Sequence, residues 1–252
     1  LKLKIRNILV SQPQPLDFEK SPYADIARKF NVSFTFKQLI RIEGVAAKDF
    51  RKDRINILDF TAIIFTSKNA VDHFFRICKE MRVEVPESMK YFSISESTAY
   101  YLQKYVQFRK RKIFHCKENY SALVDLIKKH KNEKFLLPCS DVHKLDVPQM
   151  LEENKVFYKK AVIYRTLARD MSDTDISKFE MVVFFSPSGI KSLFKNYPKF
   201  KQGNTVIAAL GPSVAKAVRD AGLRLDIEAP SKEAPSITSA IEQYLAKEAK
   251  KK

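Results

Sequence analysis

The chain has 252 residues, room for one large domain or two small ones. Hydrophobic residues make up 45% and charged residues 30%, a globular balance that excludes a disordered chain. The formal net charge of +17 points to an anionic partner. Only five glycines are present, and no G-x-G-x-x-G or G-x-x-x-x-G-K-[ST] string, so the usual dinucleotide and P-loop signatures are excluded.

Ile8-Leu9-Val10 predicts a strand closed by Ser11-Gln12-Pro13, and Pro22 to Phe30 has helical spacing. Val32 to Phe36 alternates like a strand. Ala62 to Phe65 is a fully apolar strand, followed by a helix from Asn69 to Met81. Tyr91 to Ile94 then predicts a strand, Glu96 to Tyr105 a helix, Ala122 to Lys129 a helix and Lys134 to Leu137 a strand. A helix over Val147 to Asn154 and an extended run over Phe157 to Tyr164 follow. The last third gives strand Val182–Phe185, helix Gly189–Phe194, strand Thr205–Ala208, helix Ser213–Ala221, strand Arg224–Ile227 and helix Ser236–Lys247. Strand followed by helix, many times over, predicts an α/β chain with parallel sheets flanked by helices.

The rhythm contains a repeat. Ala62 to Val71 can be set above Met181 to Ile190, with Ser67 on Ser186, Phe65 on Phe184 and Phe75 on Phe194. Ser93 to Ala99 resembles Ala209 to Ala215 at nearly the same separation, and Leu123 and Ile127 fall over Ile237 and Ile241. Three blocks in one order predict two similar α/β domains. The segment before about residue 40 completes the C-terminal copy better than it starts the other. The expected domains are therefore 1–40 with 168–252, and an inserted 41–165. Two chain crossings, near Arg41-Ile42-Glu43 and Ile163-Tyr164-Arg165, would form a two-stranded hinge that allows closure.

The apolar runs are too short to span a membrane, which takes about 20 residues in a helix. There is no signal-peptide pattern, and Cys78, Cys116 and Cys139 are an odd number at wide spacing. A reduced, cytoplasmic setting is expected. His73, His115, His130 and His143 show no zinc-like spacing with Cys or carboxylate, so no metal site is expected.

Each repeat ends an apolar strand with hydroxyls that open a helix: Thr66-Ser67, then Ser97-Thr98, Ser186-Pro187-Ser188 and Ser213. Such a residue caps free backbone N–H groups, and the same groups with the helix dipole attract anions. These hydroxyls would sit at the carboxyl edges of the strands, where open α/β sheets bind ligands. Any one of them can be an ordinary cap; the row of them, from both domains, suits a ligand with several anionic groups in a cleft. The basic runs Arg109 to Lys112 and Lys250 to Lys252 read as solvated surface. No nucleophile elbow or H-E-x-x-H string is present, and Glu152-Glu153 reads as a solvated pair. No helix-turn-helix, RRM or zinc-finger pattern accompanies the charge, so nucleic acid is not the expected partner.

Taken together, several segments resemble the uroporphyrinogen-III synthase family. They are Phe65-Thr66-Ser67-x-Asn69-Ala70-Val71, Thr98-Ala99, Phe135 to Cys139, Tyr164-Arg165-Thr166, Phe184 to Gly189, Leu210-Gly211-Pro212-Ser213, and Ala229-Pro230 to Pro235. The resemblance runs from about residue 7 to 242. It implies a two-domain fold with one domain inserted in the other. It implies hydroxymethylbilane as substrate, a linear tetrapyrrole with acetate and propionate arms. The reaction would lose the terminal hydroxyl as water, invert ring D through a spiro intermediate and close the macrocycle, with no cofactor. Tyr164 matches the Tyr of the family's Y-x-T motif and is the expected donor to the leaving hydroxyl. Thr66, Ser67, Asn69, Thr98, Ser186, Ser188, Gly211 and Ser213 are the expected substrate-binding residues. A monomer is expected, with a transient contact to hydroxymethylbilane synthase. The alternative is a non-catalytic module that binds a tetrapyrrole or another polyanion on the same fold. Three segments depart from the family's pattern: Ser11-Gln12-Pro13 replaces Thr-Arg-Pro, Val214 replaces a threonine, and Ser95 stands where Gly is common.

Overall fold

The computed structural model describes residues 5–116, 120–142 and 146–250. His143 and the end of the predicted basic tail, Lys251 and Lys252, lie outside the described residues. The chain divides into two compact units, one holding the residues up to Arg41 and from Leu167 on, the other Ile42–Thr166.

The first unit opens with β1 (Asn7–Val10), α1 (Pro22–Phe30) and β2 (Ser33–Phe36). β3 (Ile40–Gly44) leads into the second unit, which holds α2 (Ala47–Phe50), β4 (Ala62–Phe65), α3 (Lys68–Met81), β5 (Lys90–Ser93) and α4 (Glu96–Tyr101). β6 (Ile113–His115), α5 (Tyr120–Lys128), β7 (Phe135–Ser140) and α6 (Asp146–Glu153) continue it. β8 (Tyr158–Ala168) leads back. β9 (Met181–Phe184), α7 (Pro187–Asn196), β10 (Val206–Leu210), α8 (Pro212–Asp220), β11 (Ile227–Ala229) and α9 (Ile237–Lys250) complete the first unit.

The first unit's sheet has the order β11-β10-β9-β1-β2, every neighbour parallel. The second unit's sheet has the order β3-β8-β7-β4-β5-β6. Setting β3 aside, the two orders superimpose with β4 on β9, β5 on β10, β6 on β11, β7 on β1 and β8 on β2. That is the structural form of the repeat seen in the sequence. In each sheet the direction of winding reverses once, between β1 and β9 in the first unit and between β4 and β7 in the second. Such a reversal opens a crevice outside the carboxyl ends of the two strands.

Period-two alternation sorts each strand onto two faces. In the second unit, Ile63 and Phe65 join one core with Phe74, Tyr91 and Leu136. Ala62 and Ile64 join the opposite one with Phe92, Phe135 and Leu137. In the first unit, Ile8, Val10, Met181 and Val183 pack on α1 and α9 residues such as Ile26 and Ile241. Leu9, Val182 and Phe184 pack on α7 and α8 residues such as Leu193 and Val218. Strands buried on both faces read as unbroken apolar runs, which is why Ala62 to Phe65 and Met181 to Phe184 are legible in the sequence.

Several sequence expectations need correction. The sheets are not wholly parallel: Val45 N–H donates to the Ile163 carbonyl and Arg169 N–H to that of Leu39, so β3 runs antiparallel to β8. The segments around Arg41 and Tyr164, read from the sequence as the crossings of a two-stranded hinge, fall in these two strands. β6 escapes the sequence pattern because three residues beside the basic run Arg109 to Lys112 are too short to show alternation. The last strand is Ile227–Ala229 rather than Arg224–Ile227. Arg224 and Asp226 instead tie the preceding loop to Gln202 and Thr205 through side-chain hydrogen bonds. The predicted helix from Glu96 stops at Tyr101 and tightens into a 3-10 turn over Leu102–Lys104. β7 runs on through Pro138, beyond the predicted end at Leu137. Its pairing with β4 ends at Leu136, so the missing proline N–H breaks no bond to that neighbour.

Candidate functional site

In the second unit, β4 hands the chain to α3 through Thr66 and Ser67. Ser67 is extended and its Oγ accepts from Ala70 N–H at 3.1 Å, the geometry of an N-cap. The same hydroxyl lies 3.3 Å from the Tyr164 hydroxyl. Asn69, in the first turn of α3, is exposed. Ser95, not Ser97, caps α4: its Oγ accepts from Thr98 N–H at 3.3 Å and donates to Thr98 Oγ1 at 3.0 Å. Thr98 is only 4% exposed, so its hydroxyl is committed to shaping that turn.

Tyr164 owes its orientation to an irregularity in β8. Cys139 pairs with Val162 but Ser140 pairs with Tyr164, which leaves Ile163 as an extra residue. In a regular strand Ile163 and Tyr164 would face opposite sides; here both join the same core. The ring is 8% exposed and stacks on His73 at 5.1 Å between centroids, 19° from parallel. The Tyr164 carbonyl accepts from Asp141 N–H. Asp141 Oδ1 accepts in turn from Thr166 N–H, Val142 N–H and Ser140 Oγ, each at 2.9 Å. Burial raises the Asp141 carboxyl, but those three donors outweigh it and hold it below the ordinary carboxylate range. For Tyr164, burial pushes the phenol above its ordinary value, and the Ser67 hydrogen bond offsets only part of that.

In the first unit, β9 passes to α7 through Ser186, whose Oγ accepts from Gly189 N–H at 3.2 Å. Pro187 sits at the first helical position, where no N–H is needed, and Ser188 follows it. Ser186→Ala is expected to cost about 1 kcal/mol and Ser186→Gly only a few tenths, read from urea-denaturation midpoints. β10 passes to α8 through Gly211, at φ 93° and ψ 150°, with no side-chain cap. Its N–H donates to the Ala229 carbonyl, so Gly211 offers conformation rather than a free donor. No neighbour would meet a Cβ there, and the penalty of a substitution is backbone strain alone. Gly211→Ala should lose about 1–3 kcal/mol in the same denaturation measurement. Ser213, in the first turn of α8, is exposed.

The structure thus puts Thr66, Ser67, Asn69, Thr98 and Tyr164 at the carboxyl edge of one sheet, and Ser186, Ser188, Gly211 and Ser213 at that of the other. Ser67 and Ser186 are both caps, as the plain reading of such residues requires. His73, Arg76, Ser95, Ser140 and Asp141 also shape the Tyr164 edge, and sequence reasoning does not single out a role for them. The departures from the family's pattern have local reasons. Gln12 Nε2 donates to the Tyr23 hydroxyl at 3.1 Å, Val214 is packed at 3% exposure, and Ser95 replaces a flexible turn with a side-chain cap. Ser93, at the end of β5, buries a hydroxyl that has no hydrogen-bond partner among the described residues. Among the described residues no group of three or more His, Cys, Asp or Glu side chains is placed to hold a metal. Among them, too, no helix is long and apolar enough to cross a membrane.

The family description "Uroporphyrinogen-III synthase HemD" matches residues 23–239. The chain belongs to the uroporphyrinogen-III synthase family. The family comprises the cyclising lyases of heme biosynthesis and acts on a small-molecule tetrapyrrole. A uroporphyrinogen-III synthase of Chlorobaculum parvum is 22% identical over 256 residues, covering 96% of this chain and 100% of that protein. The fold is shared with a mutant uroporphyrinogen III synthase of Thermus thermophilus, at TM-score 0.60 and 13% identity, covering 98% of this chain and all of the other. It is shared equally with the Helicobacter pylori enzyme, at TM-score 0.59 and 17% identity, covering 96% and 99%. These relatives carry the synthase name, not that of a non-catalytic binding module.

Proposed function

We propose that the chain cyclises hydroxymethylbilane to uroporphyrinogen III and that Tyr164 hydrogen-bonds the departing hydroxyl. The observation that carries this role is the contact between Tyr164, opposite the carboxyl end of β7, and Ser67, just past that of β4. Ser67 Oγ already accepts from Ala70 N–H, so its own proton can point at the Tyr164 oxygen. The phenol proton is then left for a ligand. Burial keeps that phenol neutral at pH 7, a donor to a leaving oxygen rather than a phenolate that would repel it.

The bilane also closes without help, to the isomer in which ring D is not inverted. The protein must therefore hold a conformation that disfavours direct closure, and binds the route through the spiro intermediate more tightly. Helix starts suit the carboxylate arms, because first-turn N–H groups have no partner within their helix. Thr66, Ser67 and Asn69 supply that surface in the second unit, with Thr98 shaping the start of α4. Ser186, Ser188 and Ser213 supply it in the first unit, with Gly211 setting the turn into α8. Three buried cysteines with no disulfide among them support a reducing, cytoplasmic setting. In this reading the chain works as a monomer and takes its short-lived substrate from hydroxymethylbilane synthase by transient contact.

A coupled assay tests the proposal. Porphobilinogen and hydroxymethylbilane synthase supply the bilane, and oxidised products are resolved as isomers I and III. Isomer III is expected in proportion to the protein added. Isomer I alone, from folded protein, would remove the catalytic reading.

A further inference from the structure

Behind Tyr164, α3 carries a stripe that the reaction as described does not use. Arg76 Nε donates to His73 Nδ1 at 3.2 Å, and Arg76 Nη1 pairs with Glu80 at 2.6 Å. Arg76 Nη2 donates to the carbonyls of Val45 at 2.8 Å and Ile163 at 3.1 Å. Ile163 is the extra residue of β8, so Arg76 satisfies a carbonyl at the irregularity that aims Tyr164. Gly44 makes room for this: a Cβ there would lie 2.6 Å from Arg76 Cζ.

Resting on the role proposed for Tyr164, we infer that His73 and Arg76 are positioning residues for its phenol. Arg76 pins the irregular turn of β8 and fixes the His73 ring, and His73, as a neutral imidazole, holds the Tyr164 ring by stacking. The Arg76 N–H facing Nδ1 requires that nitrogen to be the acceptor, which leaves the imidazole proton on Nε2. Protonating His73 would set N–H against N–H and bring two cations together beside the phenol. Burial and the Arg76 charge both hold His73 below its ordinary 6.5, against the opposing pull of Asp72 and Glu80 on the same helix. From β8 it faces the neutral phenol of Tyr164.

Five single variants and one double variant test this by kcat, KM and the acid limb of the kcat–pH profile. His73→Ala removes the stacking ring and is expected to lower kcat about 10-fold with KM unchanged, because the donor is no longer aimed. Arg76→Met removes both the pin and the charge, so the acid limb should move up towards pH 6.5. Gly44→Ala should move the limb the same way without removing a charge, by displacing the guanidinium. A purely structural role would lower folded protein or kcat at every pH and leave the limb in place. In a Tyr164→Phe background, His73→Ala should cost nothing further. His73→Ala at wild-type kcat, with Tyr164→Phe impaired, overturns this inference alone. Tyr164→Phe at wild-type kcat overturns the reading of Tyr164 and this inference with it. His73→Phe, which keeps a flat ring, covers the case in which His73→Ala does not fold. It should keep kcat within about threefold while losing the acid limb.

Discussion

Tyr164→Phe is expected to lower kcat by about 100- to 1,000-fold with little change in KM, the range seen when one preorganised donor to a developing oxyanion is removed. The substitution deletes only the hydroxyl. The ring keeps its stack on His73 and its place in the core with Ile163 and Phe65. Ser67 keeps its bond to Ala70 N–H, so the start of α3 stays capped. The loss would therefore fall on the chemical step and not on folding. Since the bilane closes unaided, the product ratio reports the loss directly, and isomer I should replace isomer III as the enzymatic route slows. The pH profile supplies an independent check. A phenol raised above its ordinary 10.0 stays protonated throughout the neutral range. Activity that depends on its proton should be flat through about pH 8–9 and decline only above about 10. A wild-type rate for Tyr164→Phe, or a basic limb due to this residue well below its ordinary value, would remove Tyr164 from the mechanism.

The sequence places Tyr164 by motif and by strand, but not by face. Alternation along Phe157 to Tyr164 says that neighbours point to opposite sides, and the extra residue at Ile163 breaks that rule where it matters. Irregularities of this kind arise from pairing with another strand, here β7, and leave no local signature. The same limit hides His73 and Arg76. Their three-residue spacing is that of any helix surface, and the carbonyls of Val45 and Ile163, which tie Arg76 to β8, are remote in the sequence. The hydroxyls are more legible, because capping is local chemistry. Ser67 and Ser186 each follow a fully apolar strand and each accept from the N–H three residues on. At α4 the pair Ser97-Thr98 draws the eye, but the cap is Ser95, two residues before it. The repeat is visible because β4 and β9 are both buried on two faces. Its shortest members, β6 and β11, carry too few residues for alternation to mark the one or to fix the ends of the other.

Phe65→Ala and Phe184→Ala should each cost about 3–5 kcal/mol, the largest stability effects expected in the chain, because they leave cavities in close-packed cores. Both rings are 0% exposed and stand at matched places in the repeat, at the last residue of β4 and of β9. Phe65 meets Phe74 edge-on at 5.6 Å and stacks with Tyr91 at 6.2 Å. Phe184 lies against Gly189, where a Cβ would come within 3.4 Å of the ring, so α7 sits directly on it. Collapse to refill the space is limited, since each ring's backbone is held by parallel pairing, Phe65 with Ser93 and Phe184 with Ala209. The two losses should also be separable. The cluster around Phe65 contains only residues of the second unit, and that around Phe184 only residues of the first. With no tryptophan in the chain, hydrogen exchange resolved by peptide is the suitable measurement. Phe65→Ala should speed exchange in β4, β5 and β7 and leave β9 and β10 protected, and Phe184→Ala should do the reverse. Loss of protection in both sheets from either substitution would show one cooperative core instead of two. The functional consequence follows from position. Each ring supports the turn that presents a capping hydroxyl, so losing Phe65 loosens Ser67, the partner of Tyr164. Phe65→Ala should then depress isomer III formation even where the protein remains folded, whereas Ser67→Ala, which keeps the core, should do so without loss of protection in β5 and β7.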